Sequence, residues 1–192
     1  MSEAEAWDRI RSARRIVVKI GSSTLAREGR LRPDKFTAIA HDVGRVLEEG
    51  RQVVLVSSGA IAVGARNLGW DHGGQSIREK QAAAAVGQIG LIELYRRRFA
   101  RFDRQVAQIL LTRAGLEDRE RVLNARHTML ELLQMGVVPI VNENDTVATE
   151  EIRFGDNDNL AATIVNAVEA DLLVILTDVE GLYERPPVAG RP

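Results

Sequence analysis

Val53-Val54-Leu55-Val56-Ser57-Ser58-Gly59-Ala60 decides the fold: an unbroken apolar run stops at small polar residues and opens a helical pattern over 61–68. A strand buried on one face alternates apolar and polar residues, whereas one covered on both faces reads as continuously apolar. Four other runs share that character. They are Ile16-Val17-Val18-Lys19-Ile20, closed by Gly21; residues 106–111; Val137-Val138-Pro139-Ile140-Val141, closed by Asn142; and Leu172-Leu173-Val174-Ile175-Leu176, closed by Thr177-Asp178. Helical spacing fills the gaps at 33–49, 61–68, 80–102, 120–135 and 159–168, with Gly50 and Gly136 placed as helix stops. Strand and helix in alternation predict right-handed crossovers. The fold class is α/β, a three-layer sandwich with a largely parallel central sheet.

Composition narrows the function classes. The 192 residues are 45% hydrophobic and 28% charged, enough for one substantial core and few for two. Lys plus Arg (26) nearly cancel Asp plus Glu (27), so no general electrostatic grip on nucleic acid or an anionic membrane is expected. With no Cys, disulfide scaffolds, thiolate zinc sites and cysteine nucleophiles drop out together, and a reducing cytoplasm suits the chain. The acidic residues of 1–15 do not read as a secretory signal, and the apolar stretch 82–94 is interrupted by Gln88 and Glu93, too short to span a bilayer. The expected location is cytoplasmic.

Ligands of open α/β sheets bind outside the carboxyl ends of the strands, so those ends are where chemistry is sought. Lys19 either lies at an edge or snorkels to solvent, or it projects at the strand end to meet phosphate oxygens, with Gly21-Ser22-Ser23 offering N–H groups to the same anion. Ser57-Ser58-Gly59-Ala60 is either a tight turn with a cap or a helix N-terminus that receives an anion. Asn142-Glu143-Asn144-Asp145 crowds two carboxylates and two amides, which favours a cation, an ammonium or hydrogen-bond donors nearby. Asp156-Asn157-Asp158-Asn159 resembles a calcium loop only superficially, since the positions that follow are Leu160 and Ala161. A carboxylate that positions a lysine or a magnesium–nucleotide fits it better, and no protein-held metal is expected.

The dinucleotide fingerprint, the Walker A loop and a Gly-x-Ser-x-Gly elbow are all absent. His41, His72 and His127 are scattered, and Arg96-Arg97-Arg98 reads as a solvated helix face.

Taken in order, Val17-Val18-Lys19-Ile20-Gly21-Ser22-Ser23, Val56-Ser57-Ser58-Gly59-Ala60-Ile61, Asn142-Glu143-Asn144-Asp145, Phe154-Gly155-Asp156-Asn157-Asp158 and Leu176-Thr177-Asp178 with its continuation to Tyr183 resemble the blocks of the amino acid kinase family. The second, third and fourth blocks are similar to its glutamate-phosphorylating branch in particular. The resemblance covers 15–183. It implies one amino acid kinase domain over 1–192, C-terminally incomplete, with 1–170 mainly the glutamate-binding lobe and 171–192 the start of the nucleotide-binding lobe. No C-terminal RNA-binding-like (PUA) domain is present in that reading, and the chain is expected to be a fragment.

The implied activity is ATP-dependent phosphorylation of the γ-carboxylate of L-glutamate, the entry step of proline synthesis. The alternatives are another family kinase (for acetylglutamate, aspartate, carbamate or UMP) and a non-catalytic module that senses glutamate or proline. By the same resemblance, Lys19 touches the transferring phosphoryl group and Asp158 orients it. Gly21, Ser22, Thr177 and Asp178 line the nucleotide site. Ser58, Gly59, Ala60, Asn142, Asp145 and Asn157 hold glutamate, with Asp145 serving its ammonium. ATP carries Mg2+, L-proline inhibits, and the protein forms a dimer or tetramer.

Overall fold

The computed structural model describes residues 2–27, 30–147 and 157–177. Helix α1 (Glu3–Ser12) leads into strand β1 (Arg15–Ile20), the single turn α2 (Ser22–Leu25) and the short antiparallel pair β2 (Ala26–Arg27) and β3 (Arg30–Leu31). Then follow α3 (Pro33–Glu48), β4 (Gln52–Ser57), α4 (Ala60–Asn67), α5 (Ile77–Phe99), β5 (Val106–Leu111), α6 (Arg113–Glu117), α7 (Arg119–Gln134), β6 (Val138–Glu143), α8 (Asn157–Val168) and β7 (Leu172–Leu176). The order in the main sheet is β5-β6-β4-β1-β7, and every pairing is parallel. The five strands and five main helices expected from the sequence are all present, with ends displaced by at most three residues.

Strand alternation divides the core in two. Ile16, Val18 and Ile20 of β1, with Val53 and Leu55 of β4, face α3, α4 and α5, where Phe36, Val63, Leu91, Tyr95 and Phe99 are buried. Val17, Val54, Val56 and Val141 face α7 and α8, against Met129, Leu133, Leu160 and Ile164. These are the two outer layers of the sandwich. Lys19 shares the parity of Val17, so its side chain leaves the sheet on the α8 side.

Two expectations need correction. Lys19 is not at an edge, because β1 pairs with β4 at Val56 and with β7 at Ile175, and the residue is 7% exposed. Coverage on both faces holds for β1, β4 and β6 but not for β5 or β7, which end the described sheet and expose Leu110 and Ile175.

Helix α5 also begins three residues earlier than periodicity indicates. Its start is set by cap chemistry: the Ser76 hydroxyl accepts from Glu79 N–H at 3.2 Å, and the Glu79 carboxylate accepts from Ser76 N–H at 3.1 Å. Helix α1 was not anticipated from the sequence, although Ala6, Trp7 and Ile10 recur at helical spacing; it buries no residue, and half of its residues are charged.

Candidate active site

The carboxyl ends of β1, β4 and β6 converge on the start of α8. There the Lys19 Nζ lies 2.7 Å from Asp158 Oδ1, a buried ammonium on a half-exposed carboxylate. Asp158 sits in the first turn of α8, where a negative charge also meets the positive end of the helix dipole.

Beside it, buried Asn157 ties two other strand ends together. Its Nδ2 donates to Ser58 Oγ at 2.6 Å and more weakly to Asn142 Oδ1 at 3.2 Å and Ser57 O at 3.4 Å. Asn142 Oδ1 also accepts from Glu143 N–H at 2.9 Å, while Asn142 Nδ2 donates to Gln88 Oε1 of α5 at 3.2 Å. Both amides are therefore held in one orientation by partners on β4, β6 and α5. Because Ser58 Oγ accepts from Asn157, the hydroxyl keeps its own proton to offer elsewhere.

These groups border a cavity of about 550 Å³. Its walls include Ser22, Ser58, Gly59, Ala60, Asn142, Asp145 and Asn157, so six residues expected to hold an acceptor and one expected near the nucleotide share one space. Gly59 turns the chain from β4 into α4 with φ of 107°, a left-handed conformation that an L side chain adopts only under strain. That turn leaves the first N–H groups of α4 without a side-chain cap at the cavity wall.

Asp145 opens a short 3-10 turn after β6, and burial, with Glu143 nearby, pushes its carboxyl up to about 6. Beneath the cavity, the Tyr95 hydroxyl meets Ser57 Oγ at 2.8 Å, and burial pushes the Tyr95 phenol far above its ordinary range. Tyr95→Phe should cost about 1 kcal/mol by urea denaturation, since Ser57 retains its bond to Ser58 O. A loss of several kcal/mol would show that this hydroxyl pair anchors the site.

Lys19, Gly21, Asp158 and Thr177 are not in the cavity wall. Lys19 adjoins it through Asp158 and the neighbouring Asn157. Gly21 N–H donates to Leu176 O at 3.3 Å, so this amide serves the joint between β1 and β7 and is not offered to an anion. Thr177 follows Leu176 at the same joint, and Asp178 lies outside the described residues, as do residues 154–156 of the fourth block.

The sequence reading missed the far wall. Trp70, Asp71, His72, Gly73 and Gly74 of the loop between α4 and α5, and Lys80 at the start of α5, line the cavity too. Gln88 had one visible signal, a polar residue inside an apolar helical stretch. Among the described residues no group of three or more acids or histidines could hold a metal, and Asp158 is engaged by an ammonium.

A model of the amino acid kinase family matches residues 14–190, and the chain belongs to that family. It is 55% identical over 179 residues to a protein of Cupriavidus taiwanensis named glutamate 5-kinase, a match covering 93% of this chain and 48% of that protein. Proteins of the same name from Polaromonas sp. (strain JS666) and Azoarcus sp. (strain BH72) are 53% and 52% identical, over 97% and 94% of this chain and 50% and 49% of theirs. The chain thus spans about half the length of the curated relatives it matches. Among solved structures, aspartate kinase from Synechocystis superposes with a TM-score of 0.54 at 18% identity, over 86% of this chain and 28% of that one, a likeness of fold.

Proposed function

We propose that this chain forms the acceptor-binding part of an ATP-dependent kinase that phosphorylates the γ-carboxylate of L-glutamate. The observation that carries the reading is the Asn157 hub, which joins Ser58 and Asn142 at the cavity wall one residue from the Lys19–Asp158 pair. The relatives' shared name supplies the substrate.

The chemistry suits these groups. A carboxylate with an ordinary pKa of about 4.3 is already ionised at neutral pH, so the acceptor needs no general base. What transfer requires is alignment of two anions and neutralisation of the charge on the moving phosphoryl group. Lys19 has three N–H donors, of which Asp158 engages one and fixes the direction of the others. Ser58 offers its proton, and the first N–H groups of α4 their dipoles, to the acceptor carboxylate. Mg2+, arriving on the phosphates of ATP, supplies further charge neutralisation. The remainder of the nucleotide site would come from sequence of the kind that the relatives carry outside the match.

Asp145 fits the substrate's α-ammonium, which gives a pH prediction. Its proton is held more tightly in the folded than in the unfolded state. The associated stability is therefore full below about pH 4 and lost as pH rises through about 6. A bound ammonium reverses that trend by favouring the carboxylate. Glutamate affinity should accordingly fall as pH drops from 7 to 5, while the substrate itself hardly titrates. Asp145→Asn should bind glutamate at least about tenfold more weakly at pH 7 and lose most of this pH dependence. A variant with wild-type affinity would remove Asp145 from the site. L-proline, with an ammonium and one carboxylate, would compete for the same residue.

The reading is tested by trapping the acyl phosphate with hydroxylamine, with ATP and glutamate present, alongside calorimetric titration of the chain with glutamate. Hydroxamate formed from acetylglutamate or aspartate but not glutamate would reassign the substrate. Glutamate binding without ATP consumption, in protein that also carries the remainder of the nucleotide site, would make this a sensing module.

A further inference from the structure

We infer that Lys80 is a specificity-determining residue that binds the α-carboxylate of the amino acid substrate; this rests on the acceptor site proposed above. A glutamate whose γ-carboxylate points to Lys19 and whose ammonium meets Asp145 still has one charged group unassigned. Among the described residues of the cavity wall, Lys80 is the sole lysine or arginine, set against three carboxylates, Asp71, Glu143 and Asp145. Lys19 stands outside the wall and is taken by Asp158.

Lys80 is half-buried and forms no ion pair or side-chain hydrogen bond among the described residues. A partly desolvated ammonium is stabilised by a carboxylate that arrives with the ligand. The neighbouring helix start offers no competing anion site. The Glu79 carboxylate caps it, accepting from Gln75 N–H at 2.6 Å as well as from Ser76 N–H. His72, the other basic group on this side, already accepts from Gly74 N–H through Nδ1 at 3.1 Å and stacks on Trp70.

The Lys80 stem is also held in place. Gly74, at φ of 94°, packs so closely that an added Cβ would stand 3.0 Å from Lys80 N and 3.1 Å from Lys80 Cγ. The loop between α4 and α5 thus fixes the direction in which the lysine leaves its helix. Preorganisation of this kind limits the entropy lost when a long side chain binds.

The test is calorimetric titration of the chain with L-glutamate and with its α-amide, L-isoglutamine, which keeps the ammonium and the γ-carboxylate but loses the α-charge. Wild type is expected to prefer glutamate by about ten- to a hundred-fold. Lys80→Met should weaken glutamate binding by a similar factor and leave the amide within about twofold, so the preference disappears. Lys80→Arg should keep a substantial part of it. Far-UV circular dichroism confirms that each variant is folded, as expected for a side chain that does not belong to the core. A folded Lys80→Met protein that retains the wild-type preference overturns the assignment of Lys80 alone. Wild-type protein that binds neither ligand overturns the acceptor site and the role of Lys80 with it.

Discussion

Lys19→Met, made in protein that also carries the remainder of the nucleotide site, is expected to abolish most phosphoryl transfer, by about a thousand-fold in kcat, while glutamate binding stays within a few-fold of wild type. The asymmetry follows from where the ammonium lies. It is outside the wall of the cavity assigned to the acceptor, so it contributes little to holding glutamate in the ground state. Its charge matters when negative charge moves between two anions. Methionine matches the lysine stem in length and is compatible with a strand in which Ile16, Val17, Val18 and Ile20 are buried and apolar. The Asp158 left behind is half-exposed and can be solvated. The fold should therefore survive, and circular dichroism and thermal melting should confirm it. A variant that transfers phosphate at near the wild-type rate, or one that loses glutamate binding to the same extent as kcat, would remove Lys19 from the transfer step.

Gly64→Ala and Gly87→Ala should each destabilise the protein by about 3 kcal/mol or more, although both replace glycine with the best helix former. Helices α4 and α5 meet backbone to backbone at these two residues. A Cβ on Gly64 would lie 1.7 Å from Ala83 O, and one on Gly87 would lie 1.8 Å from Ala60 O and 2.4 Å from Gly64 N. No rotamer change relieves a clash with backbone, so the helices must separate. For a domain of this size the expected fall in melting temperature is about 6–12 °C. Ala60 lines the cavity, so separation should also weaken glutamate binding. Melting within about 2 °C of wild type would show that the helices part at little cost and that their contact does not set the cavity.

The strand ends were legible because a parallel strand is directional. An apolar run that breaks into Ser57-Ser58-Gly59 or Asn142-Glu143 must deliver those residues to the carboxyl edge of the sheet. Five such runs in one direction bring their polar ends together. That local rule located the strand-end wall of the cavity, whereas the approach of Lys19 to Asp158 was implied by the family resemblance. It did not show that Lys19 would be buried on an inner strand, because strand order is a matter of pairing and not of sequence order. Nor did it show that Gly21 N–H would serve Leu176 O, a bond that forms only once β7 has docked beside β1.

The opposite wall was not legible. Gln88 and Tyr95, which brace Asn142 and Ser57 without lining the cavity, sit on a helix that presents different faces to core and solvent, and Lys80 lies at its start, reached through a loop whose path depends on caps and turns. Which of these side chains reach the site depends on how α5 is rotated and how closely it crosses α4. The Gly64–Gly87 contact governs that, and a single helix cannot reveal it.

The layers, the strand directions and the chemical character of the sheet's carboxyl edge follow from side-chain periodicity and chain direction, and both can be read along the chain. Which groups share the cavity, which amides are locked or spent, and which ammonium is paired with Asp158 emerge once the layers pack together. These depend on helix rotation, strand order and distances of a few ångströms between residues far apart in the chain.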